Sequence, residues 1–405
     1  MNRVLAGLGA FSLIVAGALA APPVVQAAPK PVVTSENDVE LGDFAKPKPE
    51  VMRAEGLPDG APLSTDGMVT KTAKPPTLRL TRTNLKPFSM VGVTWQYDSA
   101  VDGVSVAVRT KSGASEWSTW QAEGLDDAAD DQPDQRGGSA PIWTGPADAI
   151  EVAVSTVSGA APRDLRLALI DPGTSPADAD DSLATPAVSE QVPEVVPARA
   201  EKGIRGSAPM PRIYRRQSWG ADPRMMTWKP TYSPMVKAVA FHHTVNSNTY
   251  TAAEVPAIIR GIYHYHAITH KWGDIGYNAL VDRFGRIWEG RAGGVNRAVI
   301  GAHAGGFNYE TSGIAMIGDF ATANLPQLMK NAAAAFIAWK LSMYHVSPNS
   351  TATLTGGPNT LYSARVTVKV PTVFPHRQTS NTDCPGEGGM RALPGIRYQA
   401  LHRIH

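Results

Sequence analysis

A stretch near the C-terminus, residues 374–386, carries the side chains of this chain that are best suited to chemistry. It contains His376 and Cys384, and Cys384 is the only cysteine among the 405 residues. Because this cysteine has no partner for an internal disulfide, it is incidental, a nucleophile or a metal ligand. The polar loop between the two residues can fold back and bring both side chains to one point, and Pro375 and Pro385 would stiffen its ends.

A second stretch, residues 239–245, lies far upstream and contains His242 and His243. Its apolar character predicts a β-strand, and neighbouring residues of a strand point to opposite faces, so only one of these imidazoles can join a cluster. Two imidazoles and one thiolate can occupy three corners of a zinc tetrahedron and leave the fourth for water. The two stretches together therefore predict a zinc site.

Length and composition predict two folded domains joined by linkers, because 405 residues exceed one ordinary domain and 43% of them are hydrophobic. The net charge of +2 is nearly balanced, which argues against a dedicated nucleic-acid binder. Neither property indicates an oligomeric state.

The N-terminus has the pattern of an export signal. Residues 4–21 are apolar and small, and Ala20 and Ala27 both end sequences that suit signal-peptidase cleavage. We therefore predict a signal peptide over residues 1–28 and a secreted or cell-wall protein with no stable membrane insertion after cleavage. The alternative is a retained N-terminal anchor, because the apolar run is near the lower length limit for a membrane span.

The composition divides the remaining chain into four parts. Residues 29–76 are rich in Pro, Lys and acidic side chains and predict a flexible tether. Residues 77–173 contain short β-type runs separated by turn signals, which predicts a small all-β, sandwich-like accessory domain. Residues 174–210 predict a Pro/Ala-rich linker. In residues 211–405, strand and helix patterns alternate, which predicts an α/β domain with a mixed central sheet flanked by helices.

Two features of the accessory domain admit both a structural and a functional interpretation. Its tryptophans are expected in the core or at sheet edges, with a sugar-stacking platform as the alternative; they are Trp95, Trp117, Trp120 and Trp143. The acidic residues between 126 and 134 are expected to form a solvated loop, because they lack the spacing and central glycine of an EF-hand calcium site.

Five segments of the C-terminal domain resemble, in the same order, the zinc amidases of phage-lysozyme type and the peptidoglycan recognition proteins. The resemblance extends from Trp219 to the C-terminus. The segments are FHHT at 241–244, DIGYN at 274–278, FGRIWEGR at 284–291, GAHAGGFN at 301–308, and the pair His376 and Cys384. With the export signal, the resemblance implies a secreted bacterial form, which we expect to be actinobacterial.

The resemblance implies that His242, His376 and Cys384 bind zinc. It also places His303 and Asn308 in a glycine-rich loop on the substrate side. A structural role for the loop histidine is the alternative. His264, His266 and His270, which lie on and after the first predicted helix of this domain, are interpreted as surface or packing histidines.

The resemblance further implies that Tyr277 acts in catalysis, whereas the alternative from the residues alone is an aromatic packed on the core. Some family members carry a lysine two residues before the cysteine, and this chain has Thr382 there. A threonine cannot supply a cationic partner to an oxyanion, but its hydroxyl can donate one hydrogen bond. We therefore expect Tyr277 and Thr382 to be the catalytic side chains.

The function that follows from the resemblance is zinc-dependent hydrolysis of the amide between N-acetylmuramic acid and L-alanine in peptidoglycan. Zinc suits this chemistry because it polarises a carbonyl and acidifies water. One alternative is a receptor-like module that binds peptidoglycan without cutting it. Another is a cysteine peptidase that uses Cys384 with His376, although activated thiolates often lie at helix N-termini and this cysteine lies in a Pro-Gly loop.

Overall fold

The computed structural model describes residues 30–42, 77–96, 104–123, 125–126, 136–156, 162–179, 186, 206–357 and 360–405. The predicted signal peptide lies outside this part of the chain, as do residues 43–76 of the predicted tether and residues 127–134 of the acidic loop. Within the described residues, no helix is long and apolar enough to cross a bilayer.

The N-terminal half forms two packed antiparallel sheets. Their strands are β1 (Ser35–Gly42), β2 (Thr77–Arg82), β3 (Phe88–Gln96), β4 (Ser105–Lys111), β5 (Gln121–Glu123), β6 (Leu125–Asp126), β7 (Arg136–Ser139), β8 (Ile142–Ala147), β9 (Ala149–Ser155) and β10 (Arg163–Asp171). One sheet has the order β1-β10-β3-β7-β6, with β8 also paired to β3, and the other has the order β2-β9-β4-β5. The predicted sandwich is confirmed.

Strand β1 corrects the start of the predicted tether. Ser35–Gly42 pairs antiparallel with β10, beginning with Ser35 opposite Asp171. The strand lies at a sheet edge, where backbone hydrogen bonds provide the pairing, and its side chains Val39 and Leu41 pack against the sandwich core. Two apolar residues among the eight of SENDVELG are too weak a pattern to predict a strand.

The sheet that contains β3 is apolar on both faces. Val91 and Val93 of β3 pack against the second sheet of the sandwich, whereas Met90 packs with residues of the C-terminal domain on the opposite face. A strand buried on both sides needs apolar residues at nearly every position, which explains why the run from Met90 to Val93 does not alternate. The two domains therefore share a packed interface.

The tryptophans of the accessory domain divide into two pairs. Trp95 and Trp143 are buried. Trp117 and Trp120 are partly exposed, but Arg109 lies over both rings, with its guanidinium carbon 5.4 and 5.0 Å from their centroids. The guanidinium of Arg109 thus makes cation–π contacts with both indole rings within the protein, which favours the structural interpretation of the tryptophans.

The C-terminal half contains one mixed six-stranded sheet and a separate hairpin. The strands are β11 (Ile213–Tyr214), β12 (Ala238–His243), β13 (Ala279–Val281), β14 (Ile287–Glu289), β15 (Thr311–Met316), β16 (Thr351–Thr355), β17 (Thr367–Pro371) and β18 (Val373–Pro375). The sheet order is β11-β14-β13-β15-β12-β18, and β16 pairs with β17. Strand β12 pairs in parallel with both of its neighbours.

Three α-helices cover this sheet. They are α1 (Val255–His264), α2 (Gln327–Ser342) and α3 (Gly386–Leu401), and a π-helical turn, Tyr265–Thr269, continues α1. Helices α2 and α3 pack with one face of the sheet, and α1 packs with the other. This architecture confirms the predicted fold class, a mixed α/β domain preceded by a β-sandwich. Helix α3 contains Pro394 in its interior.

Every residue of α1 is buried, because the central sheet covers one side of the helix and the accessory domain covers the other. Gly261 permits the close approach: a Cβ at this position would overlap the side chain of Met90 on β3. A helix that is buried all round is unusual for a domain surface and is typical of the interior of one packed unit.

Arg260 of α1 is the main polar contact of this interface. Its buried guanidinium donates to the backbone oxygens of Pro172, Gly173 and Trp219 at 2.9–3.0 Å. It also donates to both carboxylate oxygens of Asp178 at 2.8 and 2.7 Å. The first residues of the predicted linker are therefore fixed against the C-terminal domain.

Replacing Arg260 with leucine should destabilise the protein by about 3–5 kcal/mol, because it leaves Asp178 and three carbonyl groups without their donor. Thermal unfolding and limited proteolysis between the domains would measure the effect. The control is Arg391→Leu, because Arg391 is exposed and donates to the carbonyl of Thr322 and to Oδ1 of Asn324; its effect should stay within about 0.5 kcal/mol. Equal unfolding temperatures for the two variants would contradict the assignment.

Candidate metal centre

His242 lies near the end of β12, where the strand is flanked by β15 and β18. The side chain is buried, and its neighbour across the sheet is the small residue Ala315. His243 points to the opposite face, where its Nδ1 accepts a hydrogen bond from the backbone N–H of Phe320 at 3.1 Å. As the strand pattern predicted, only one histidine of the pair faces the cluster.

The second histidine reaches the cluster because β18 runs beside β12. Pro375, the last residue of β18, pairs with Phe241, so His376 follows directly beside His242. The centroids of the two imidazole rings are 4.3 Å apart. His376 begins a short 3₁₀ turn, and this places the following chain above the sheet rather than in it.

The loop after His376 folds back on itself. The backbone N–H of Arg377 donates to the carbonyl of Cys384 at 2.8 Å, and the N–H of Cys384 donates to Oγ1 of Thr382 at 3.2 Å. Cys384 then precedes α3, which begins at Gly386. The loop thus brings the cysteine to the two histidines, as its polar sequence between two prolines predicted.

The three candidate ligands meet at one point. One ligand atom each from His242, His376 and Cys384 lies within 4.8 Å of the others. The Sγ of Cys384 lies 3.8 Å from Nδ1 of His242. Bond lengths of about 2.0–2.1 Å to nitrogen and 2.3 Å to sulfur at a tetrahedral angle place these atoms about 3.6 Å apart. Two imidazoles and one thiolate in this geometry fit a zinc ion.

The charge state of the site favours metal binding. Burial lowers the pKa of His242 well below its usual value, and the nearby imidazoles of His376 and His303 lower it further. Burial likewise lowers the pKa of His303 to about 3. Both rings are therefore neutral at physiological pH, which is the form of histidine that binds metals. The Sγ of Cys384 also accepts a weak hydrogen bond from the N–H of His243 at 3.4 Å.

His303 contacts a candidate ligand directly. Its Nδ1 lies 3.2 Å from Nε2 of His242, and the two rings are T-shaped. A metal-binding histidine usually has a hydrogen-bond partner on its second ring nitrogen, which fixes the ring's tautomer and orientation. Gly313 on β15 makes this possible, because a Cβ there would overlap the ring of His303. His303 thus supports the candidate ligand His242, while its predicted contact with substrate stays a prediction.

Asn308 fixes the loop that carries His303. Its buried Oδ1 accepts hydrogen bonds from the backbone N–H groups of His303 and Ala304 at 2.8 and 3.0 Å. The amide therefore has a structural role, and the substrate contact predicted for it remains a prediction.

Tyr277 lies beside the candidate metal centre. Its ring is buried and its centroid lies 5.4 Å from that of His242. Thr382 is partly exposed, and its hydroxyl accepts from Cys384 but keeps an O–H that can donate. Both predicted catalytic side chains therefore lie at the site.

The histidines around α1 are packing residues rather than surface residues. His264 bonds to Oγ1 of Thr34 at 2.6 Å and pairs with Glu36 at 2.9 Å, both from the N-terminal segment. Nδ1 of His266 accepts from the N–H of Gly276 at 3.1 Å. The sequence did not connect His264, His266 or His270 with the site. A π-helical turn has no periodic signature, and the hydrogen-bond partners of these histidines come from distant segments of the chain.

Comparison with known proteins agrees with this geometry. The family model described as N-acetylmuramoyl-L-alanine amidase matches residues 231–387. A peptidoglycan-recognition protein of Drosophila melanogaster is 33% identical over 178 residues, which cover 43% of this chain and 81% of that protein. The chain belongs to the amidase and peptidoglycan-recognition protein family. The resemblance seen in its five sequence segments is confirmed.

Further relatives cover the same part of the chain. Peptidoglycan-recognition protein LB of Drosophila melanogaster is 30% identical over 176 residues, which is 64% of that protein. Among solved structures, wild-type Drosophila PGRP-LB shares 26% identity with a TM-score of 0.34, over 44% of this chain and 89% of that chain.

The N-terminal half matches a different family model. This model is described as Rv3811 N-terminal galactose-binding domain-like and matches residues 49–182.

Replacing His376 with alanine, or Cys384 with serine, should abolish stoichiometric zinc binding, because either change removes one of three protein ligands. Wild-type protein loaded with zinc and desalted should retain about one ion per chain, as measured by mass spectrometry and by competition with a chelating dye. The control is His243→Asn, which lies next to a ligand but on the other face of β12 and should retain the ion. Equal zinc content in His376→Ala and His243→Asn would refute the site.

Proposed function

We propose that this chain is a zinc-dependent N-acetylmuramoyl-L-alanine amidase, which hydrolyses the amide between N-acetylmuramic acid and L-alanine of peptidoglycan stem peptides. The observation that carries the proposal is the convergence of His242, His376 and Cys384 within 4.8 Å in a chain of this family. Three protein ligands leave one position open, as in catalytic zinc sites, whereas structural zinc sites have four.

The metal and its ligands have separate tasks in this proposal. When bound, zinc supplies Lewis acidity toward a carbonyl oxygen and toward water. His242 and His376 would hold the ion through ring nitrogens and Cys384 through its sulfur. His303 holds the ring of His242 through its second nitrogen, so that the ligand keeps its orientation during turnover.

Two hydroxyl groups act on the substrate. Tyr277 lies beside His242 and would donate to the oxyanion that forms when the amide carbonyl is attacked. The hydroxyl of Thr382 accepts a hydrogen bond from the N–H of Cys384 and would donate one of its own to the same oxyanion. The loop 301–308, with His303 and Asn308, would form one side of the peptide site. These roles require no cationic residue at position 382.

The location and partner follow from this function. The substrate is a cell-wall polymer, and we propose that the chain is exported by its N-terminal signal and acts on peptidoglycan outside the cell. Relatives named for peptidoglycan recognition support the choice of polymer.

A receptor that binds peptidoglycan without cutting it is the alternative. Digestion of purified cell walls separates the two functions: an amidase should release stem peptides with new L-alanine amino termini, and a chelator should stop the release. Mass spectrometry of the products identifies the bond that is cut. Binding of walls by the zinc-loaded protein without release of amino termini would favour the receptor and contradict the enzyme.

Replacing Tyr277 with phenylalanine should lower kcat by about 10²–10³-fold, because it removes one hydrogen-bond donor to the developing oxyanion. Zinc content should not change, since the tyrosine is not a ligand. Tyr344→Phe is the matched control, because Tyr344 follows α2 and packs with the apolar cluster on the other face of the sheet from Tyr277. An unchanged kcat for Tyr277→Phe would remove the hydroxyl from the mechanism.

A further inference from the structure

The accessory domain contacts the π-helical turn that lies behind Tyr277. The hydroxyl of Tyr265, the first residue of the turn, donates to the carbonyl of Ser139 at the end of β7 at 2.9 Å. Its ring lies so close to β3 that a Cβ at Gly92 would overlap it. His270, directly after the turn, lies in the same way against Gly138 of β7. Glycines in two adjacent strands thus allow the sandwich to fit against the turn.

The other side of the turn contacts Tyr277. The ring of His266 is T-shaped to that of Tyr277, with centroids 5.4 Å apart. Trp272 connects the two sides, since its ring lies 4.6 Å from His266 and is stacked on His270 at 4.9 Å. A continuous set of packed rings, with His270 and Trp272 half-buried and the others buried, therefore runs from the accessory domain to the tyrosine beside the candidate metal centre.

The backbone before Tyr277 is fixed from two directions. Nδ1 of His266 accepts from the N–H of Gly276 at 3.1 Å, and the carbonyl of Gly276 accepts from the N–H of Ala302 at 3.0 Å. A side chain at position 276 would overlap the carbonyl of Ala302. With its neighbouring peptide groups bound on both sides and its ring between His242 and His266, Tyr277 has little freedom to turn.

We propose that His266 is a positioning residue for Tyr277, and that the accessory domain holds His266 in place by docking on the turn Tyr265–Thr269. The catalytic part of this inference rests on the proposed amidase function. The accessory domain is then a component of the active-site scaffold. It does not act only as a tethered targeting module.

Two substitutions at position 266 separate positioning from packing. His266→Phe keeps an aromatic ring against Tyr277 but removes the acceptor for Gly276. His266→Asn loses the ring but keeps an acceptor, because its Oδ1 occupies nearly the place of Nδ1. We expect kcat to fall about 10–100-fold in His266→Phe, as small displacements of a catalytic group do, with KM and zinc content unchanged. His266→Asn should recover most of kcat.

A residue that acts through Tyr277 should lose its effect when the tyrosine hydroxyl is absent. In the Tyr277→Phe background, His266→Phe should therefore lower kcat no further, whereas general destabilisation would lower it again. A second full drop in kcat in the double variant would overturn the proposal.

The docking contact is tested by Gly92→Ala, whose new methyl group must displace the ring of Tyr265. The expected result is the same loss of kcat at constant KM and zinc content, which also disappears in the Tyr277→Phe background. The control is Thr119→Ala, an exposed position of the same domain between β4 and β5, which should behave as wild type. If Gly92→Ala leaves kcat unchanged, the accessory domain does not position the tyrosine.

Fluorine NMR distinguishes failure of this inference from failure of the proposed function. A fluorotyrosine placed at position 277 reports its surroundings without any turnover. His266→Phe and Gly92→Ala should shift or broaden its resonance, and His266→Asn and Thr119→Ala should leave it near the wild-type position. If the wild type cuts no wall but the resonance responds in this way, only the amidase proposal fails. If the resonance ignores both His266→Phe and Gly92→Ala, the positioning role is refuted whatever the activity.

Discussion

The candidate metal centre depends on the parallel pairing of β12 with β18. Adjacent strands lie about 4.8 Å apart, so side chains at neighbouring register positions on the same face meet without help from a loop. The pairing of Phe241 with Pro375 places His242 and His376 in this relation. Only Cys384 must then be delivered by a loop. That loop is held closed by the hydrogen bond from the N–H of Arg377 to the carbonyl of Cys384 and by the one from the N–H of Cys384 to Oγ1 of Thr382. Ordinary sheet geometry thus contributes two of the three ligands.

Small residues on the neighbouring strand β15 complete the arrangement. Ala315 lies opposite His242, and Gly313 leaves room for the ring of His303. A larger side chain at either position would compete with an imidazole for the same space, since protein interiors are packed without spare volume. The absence of an acidic residue from β15, visible in its sequence, is therefore part of how this strand makes space for two buried histidines.

The sequence was informative where one physical signal determines the outcome. Strand alternation predicted that His242 and His243 face opposite sides, and the lone cysteine near a histidine indicated a cluster. The family resemblance then supplied His242, His376 and Cys384 as a set. The sequence did not predict strand β1 or the π-helical turn. Pairing with β10 determines the strand and packing against β3 determines the turn, and neither interaction leaves a local pattern in the sequence.

The accessory domain is held to the C-terminal domain by an apolar interface and a buried guanidinium. Met90, Ala168 and Ile170 lie on the sandwich face that α1 covers, and an isolated sandwich would expose them to water. Exposed apolar patches of this kind are unfavourable in monomeric proteins, and the buried guanidinium of Arg260 would lose its partners at the same time. Separation of the domains therefore costs free energy on both sides of the interface. A mobile joint at this point is disfavoured, so mechanical constraint can pass from the β-sandwich to Tyr277 through the packed rings and the hydrogen bond between His266 and Gly276.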